Sequence, residues 1–196
     1  YFFKGGSNRD VIDELSRFQN TDGGFGHGLE PDFFNPNSSP IATNDAIITL
    51  SRVNALDGDS DIVNGIVRYL ESHDSFDEDK KRWLFAIDSN KDYPHAIWWE
   101  KKGDGISKFN PSVSLAAFMI CYGTRNALYE EIIKEGMDFL KNGEAVGGDD
   151  INCYLPAYEL LTSHSLDDIV DLNAFKTSLS KAIENCICKD ISNYHI

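Results

Sequence analysis

The stretch Phe18-Gln19-Asn20-Thr21-Asp22-Gly23-Gly24-Phe25-Gly26-His27 constrains this chain more than any other. A helix-like run ends in a glutamine, an Asp-Gly-Gly turn follows, and an aromatic comes straight after. Glycine adopts backbone angles that strain other residues, so the chain reverses sharply here. Gln19 is long enough to hydrogen-bond free backbone groups near the next helix start. Phe25 packs back over the turn. These roles predict a corner between stacked helices, and hence a helical repeat protein.

Helical periodicity supports that reading along the chain. Asp10 to Gln19 reads as a helix with Val11, Leu15 and Phe18 on one face and Asp10 as its cap. A long polar loop runs from Asn20 to Pro40. Helices are expected over Ile41 to Val53, Asp61 to Ser72, Pro111 to Tyr122, Tyr129 to Lys141, Asn152 to Leu161 and Asp171 to Cys188. Pro156 is placed in the first turn of its helix, where a missing N–H costs nothing. Periodicity fails between Lys81 and Asp104, where a short hairpin or an ordered loop is expected. The odd-numbered helices carry a charged side, while the even-numbered ones are more apolar. Two layers need that alternation, with outer helices wet on one face and inner helices covered on most sides. Arg17 to Phe25 aligns with Arg68 to Phe76, and Asp138 to Gly143 is a fainter third copy.

Composition excludes several classes of function. Of 196 residues, 41% are hydrophobic, which is ample core material for a globular chain. The net charge of −14 repels nucleic acid and anionic membranes. No apolar run approaches the ~20 residues that span a bilayer. Cys121, Cys153, Cys186 and Cys188 include no Cys-x-x-Cys pair, so a reducing, cytoplasmic compartment is expected.

Leu15-x-x-x-Gln19-x-x-x-Gly23-x-Phe25 resembles the Gln-to-Gly-x-Trp/Phe repeat of the squalene cyclase and protein prenyltransferase superfamily. Asp22-Gly-Gly-Phe-Gly-His-Gly-Leu-Glu-Pro-Asp32, followed by Ser38-Ser39-Pro40-Ile41-Ala42-Thr43, looks like an uncharacterised bacterial branch of it. The motif match covers about thirty residues, and the helical alternation extends a looser likeness over the chain. The resemblance implies an all-α fold, an α/α toroid of concentric outer and inner helices, in one domain over residues 1–196. With about three and a half helix pairs, a partial ring is expected, with self-association if the ring is incomplete. The superfamily's cyclase acid, Asp-x-Asp-Asp, is missing. Its zinc-binding Asp-x-Cys is approached by Asp150-Ile-Asn-Cys153, one residue too long, with His164 and His195 as distant third ligands. No metal and no cofactor are therefore expected, Asp150 and Cys153 being the weak exceptions. Cys153 also reads as a small buried hydrophobe.

Three groups of residues carry chemistry. His27, Glu30 and Asp32 follow the glycine turn, and two nearby carboxylates can divide acid and base roles. They are the candidate catalytic residues. Capping of the following helix and bonding of loop amides is the plain alternative. His95, Trp98 and Trp99 form a second group with Glu100, since aromatic faces stack on sugar rings or isoprenoid chains. Loop anchoring is the alternative there. Tyr154, a helical turn from Tyr158, lines a cavity or fills the core. Three functional classes stay open: an enzyme acting on an apolar or isoprenoid small molecule in a central cavity, a carbohydrate-active toroid using Glu30 and Asp32, and a non-catalytic binding or scaffold protein.

Overall fold

A computed structural model of the chain describes residues 5–143 and 147–187. Cys188 and His195 lie outside the described residues. Among the described residues the chain has seven α-helices and a single two-stranded sheet, so it belongs to the all-α class. No helix among these residues is long and apolar enough to cross a membrane. Two compact units form, Tyr1–Ser107 with Tyr122–Thr124, and Lys108–Cys121 with Arg125–Ile196.

In the first unit, helix α1 (Asn8–Leu15) continues into a 3-10 turn over Ser16–Phe18. Its cap is Ser7 rather than Asp10. The Ser7 hydroxyl accepts from the Asp10 amide, and the Asp10 carboxylate accepts from the Ser7 amide in return. Helix α2 (Pro40–Arg52) opens with Ser39 as cap and Pro40 in its first turn, where proline is tolerated. Helix α3 (Asp61–Glu71) buries Ile62, Ile66, Tyr69 and Leu70 along one stripe. The expected polar loop between α1 and α2 is ordered by isolated bridges, Gln19 to Phe25 and Phe25 to Ser39, which fold it into a tight corner.

The glycines of that corner are there because backbones touch. A Cβ on Gly23 would stand 2.0 Å from the Gly65 carbonyl oxygen of α3, and Gly23 has φ +98°. The Gln19 side-chain amide completes the junction, donating to the Gly23 carbonyl and to the Ile62 carbonyl in the first turn of α3, each at 3.0 Å. The helix it reaches is thus α3 rather than the next one in the chain, α2.

Between α3 and residue 107 the hairpin comes earlier than the loss of periodicity suggests. Strands β1 (Phe76–Asp77) and β2 (Arg82–Trp83) pair antiparallel, Phe76 opposite Trp83. The rest of the expected insertion holds two 3-10 turns, Asp88–Asp92 and Ile97–Trp99. The aromatic ring pairs drive the early pairing: His73 stacks on Phe76 at 4.5 Å, and Phe76 meets Trp83 edge-on at 4.9 Å.

In the second unit, helix α4 (Ser112–Tyr122) is buried on every side from Ser112 to Ile120, as its unbroken apolar sequence requires. Helices α5 (Ala127–Lys141), α6 (Gly148–Ser163) and α7 (Leu172–Cys186) pack with α7 against both others. Pro156 sits well inside α6 instead of in its first turn. The helix starts at Gly148, four residues earlier than the apolar pattern begins, and the proline leaves the Asn152 carbonyl without its helical donor. The Gly23–Gly65 contact gives a test. Gly23→Ala places a Cβ on a backbone oxygen at positive φ and is expected to cost at least about 2 kcal/mol in urea unfolding. A Gly143→Ala control, at similar φ with open space around it, costs less.

Candidate functional site

A buried polar network shapes the loop between α1 and α2. Asp22 Oδ1 accepts from the Gly24 amide at 2.9 Å and from the Ser38 hydroxyl at 2.8 Å. Asn20 Nδ2 donates to the Pro36 carbonyl and to Ser38 Oγ. Its carbonyl therefore accepts from His27 Nε2 at 2.9 Å, which assigns the ring hydrogen to that nitrogen. His27 has φ +57°, and its backbone amide donates to the Asn35 carbonyl. His27 is thus a brace of the loop, with its Nε2 committed to Asn20. Asn35, fully buried, donates to Ser89 Oγ and to Asn90 Oδ1, and Asn90 donates to the Trp99 carbonyl at 2.7 Å. Satisfied amides of this kind fix a loop in one conformation.

Glu30 meets a residue that the sequence reading missed. Asp45, in the middle of α2, is largely buried, and no N–H or O–H donor among the described residues reaches its Oδ2. Its neighbour is the Glu30 carboxyl. Burial, then the hydrogen bond to Glu30, then the charge of Glu30 push Asp45 up to about 8, against a smaller opposing pull from Arg52. The result is a carboxylic acid that stays mostly neutral at pH 7. A signal for it stood in the sequence. Asp45 is a charge in an apolar helix whose neighbours three and four residues away are Ala42, Ile41, Ile48 and Thr49, none of them basic.

Asp32 and Trp99, expected in separate groups, meet. The Trp99 indole Nε1 donates to Asp32 Oδ1 at 2.5 Å. The Ala96 amide donates to the Asp32 carbonyl, the Phe34 amide donates to the Pro94 carbonyl, and Phe33 bridges to His95. The Trp99 ring is buried, stacked between Phe33 at 5.7 Å and Phe85 at 4.9 Å. Trp99 anchors this loop; it offers no face to a ligand. His95 donates from Nδ1 to the Tyr93 carbonyl at 2.6 Å and leaves Nε2 for other partners. Trp98 is 58% exposed, and Ile97 and Phe34 are also exposed. Beside the glycine turn lies an open cleft of about 430 Å³ lined by Asn20, Thr21, Asp22, Asn37, Ser38 and Asp74. It does not include Glu30, Asp32 or Asp45.

The remaining candidates lie in the second unit. The Tyr154 hydroxyl donates to the Gly136 carbonyl at 3.0 Å, and its ring packs edge-on to Phe175; it is core, with its polar end spent. Asp150 binds Lys108 Nζ at 2.9 Å. The Cys153 thiol donates to the Asp150 carbonyl at 3.1 Å, and burial raises its pKa, which keeps it protonated and poorly suited to bind a metal. Among the described residues no three His, Cys, Asp or Glu side chains stand close enough to hold a metal ion.

No family model matches this chain. No curated protein and no solved structure matches it either.

The Asp45 acid makes stability depend on pH. Its folded pKa lies above the unfolded value of 3.8, so the folded state binds the extra proton as pH rises from there. Wild-type stability therefore falls between 3.8 and about 8, by up to about 1.4 kcal/mol per pH unit. Asp45→Asn removes the group, and urea unfolding of that variant is expected to show a flatter profile over the same window.

Proposed function

We propose that this chain is an enzyme of the squalene cyclase and prenyltransferase kind, an α/α toroid protein. In this reading it transfers a proton to a small apolar or isoprenoid molecule, with Asp45 as the acid and Glu30 as its partner. The observation that carries the reading is the Asp45 carboxyl, largely buried in α2 with its Oδ2 unpartnered among the described residues, and raised in pKa by burial and then by Glu30. A neutral carboxylic acid held largely out of water donates a proton that an ordinary surface aspartate has lost at neutral pH. It supplies what the missing Asp-x-Asp-Asp would supply, from a helix of the more apolar, inner-layer type. The layered arrangement draws support from Gln19, which ties the end of α1 to the start of α3 across the intervening α2. The exposed Phe34, Ile97 and Trp98 offer apolar surface on the loops around Glu30 and Asp32.

The exposed face of Trp98 also suits a sugar ring, which favours the carbohydrate reading as the alternative. Its carboxyl geometry fits less well. Asp32, the other expected partner, is occupied by the Trp99 indole.

The test incubates the protein with polyprenes and prenyl diphosphates in one series and with oligosaccharides in another, and follows product by mass spectrometry. Conversion of a prenyl compound is expected, and Asp45→Asn lowers its rate by about 100-fold or more. Conversion of sugars alone, or an Asp45→Asn enzyme as active as wild type, defeats the proposal.

A further inference from the structure

The cleft beside the glycine turn has a chemistry of its own, apart from Asp45. One wall is the corner loop, where Asn20, Asp22 and Ser38 bond one another. The other is Asp74, in the turn that follows α3. Arg68 of α3 ties the two walls, its Nη2 donating to the Thr21 carbonyl at 3.3 Å. A volume of about 430 Å³ lies in the range of small-molecule sites. Every lining side chain is polar, so the cleft does not suit an apolar molecule.

The fold aims both carboxylates of the cleft. Asp22 Oδ1 is spent on the Gly24 amide and the Ser38 hydroxyl. Asp74 Oδ2 accepts from the Ser75 hydroxyl at 3.2 Å, and the Asp74 amide donates to Ser72 Oγ at 3.2 Å. Each keeps its second oxygen, Asp22 Oδ2 and Asp74 Oδ1, with no donor among the described residues. The Tyr69 hydroxyl is a third such group. Tyr69 is 1% exposed, and its hydroxyl has no partner among the described residues. Its ring backs the Ser38 wall: a Cβ on Gly24 would stand 2.5 Å from Ser38 Cβ and 2.8 Å from Tyr69 Cδ2. Burial, then the charge of Asp74, push the phenol up, with a smaller push from Asp22, so it keeps its proton. Three oxygens without a donor gather around one cleft, and they call for a ligand that donates hydrogen bonds.

We propose that this cleft binds a primary alkylammonium ion, anchored by Asp22 Oδ2 and Asp74 Oδ1. Bonds from a charged donor to a carboxylate are among the strongest a cleft can make, and an ammonium head carries three donors and no acceptor. A guanidinium fork prefers both oxygens of one carboxylate, and here each carboxylate has one oxygen already in use. Calcium takes six to eight oxygens, whereas no three His, Cys, Asp or Glu side chains among the described residues stand close enough to hold a metal ion. The site shares no residue with Glu30 and Asp45, so it holds or fails independently of their chemistry.

The experiment titrates the whole nitrogen-15-labelled chain with n-butylammonium chloride at neutral pH and constant ionic strength, and follows amide shifts by NMR. Saturable shifts are expected at Thr21, Gly24, Ser38 and Asp74. Tetramethylammonium has the same charge and no N–H, and it binds at least about tenfold more weakly. Asp22→Asn keeps the oxygen that holds the turn and replaces the open one by an amide nitrogen. Asp74→Asn does the same on the opposite wall. Each weakens binding about tenfold, while Asp13→Asn, which removes an exposed charge on α1, changes it by less than about twofold. The amide spectra report folding, and Asp74→Asn carries the test if Asp22→Asn disturbs the corner. Shifts that do not saturate, equal binding of tetramethylammonium, unchanged affinity in Asp74→Asn, or tighter binding of methylguanidinium or calcium chloride at the same amides overturns the proposal.

Discussion

The contact of two backbones at Gly23 and Gly65 is the constraint from which the first unit follows. Neither position has room for a side chain, because the Gly65 carbonyl and the Gln19 amide already fill the space. Gln19 turns that proximity into a bonded junction. One amide group closes its own turn and, in the same step, satisfies a carbonyl of α3. The corner is then a fixed angle between two helices. The loop that leaves it begins from a defined point, and Phe25, wholly buried, continues the path to Ser39 and the cap of α2.

From that corner the loop carries polar groups inward, and each is met by another. Asn20, Asp22 and Ser38 bond one another, and Asn35 and Asn90 link this loop to the segment that ends at Trp99. Buried amides left unpaired would each cost about 1–3 kcal/mol. Paired, they rank one conformation above the others. A carboxylic acid with a raised pKa needs such a frame, because a loose loop would hydrate it and return it to the ordinary range.

How far the sequence foretold this differs by residue. The seven helices were legible because their apolar spacing repeats, and their ends moved by a few residues where capping chemistry rather than periodicity decides. Ser7 in place of Asp10 is one such case, and the early start of α6, which leaves Pro156 inside the helix, is another. Glu30 stood out by its place beside glycines, and the Trp pair by the cost of leaving indoles in water. What periodicity does not carry is which loop meets which. Asp32 and Trp99 lie 67 residues apart, and only the tertiary path brings the indole to the carboxylate. Asp45 was hidden for a different reason. It occupies one position in an otherwise regular apolar helix, so the pattern around it reads as structure.

Asp22-Gly23 is also a chemically fragile sequence. In a flexible chain the amide nitrogen after an aspartate attacks the side-chain carbonyl carbon, and the cyclic imide that forms reopens to isoaspartate. A glycine at the second position makes that attack easy. Here both reacting groups are engaged elsewhere: the Gly23 N–H donates to the Asn20 carbonyl, and Asp22 Oδ1 is held by Gly24 and Ser38. The folded corner thus protects its own backbone from ageing. Isoaspartate at position 22 would accumulate in proportion to the time the corner spends open, a slow chemical clock written into the turn on which the unit is built.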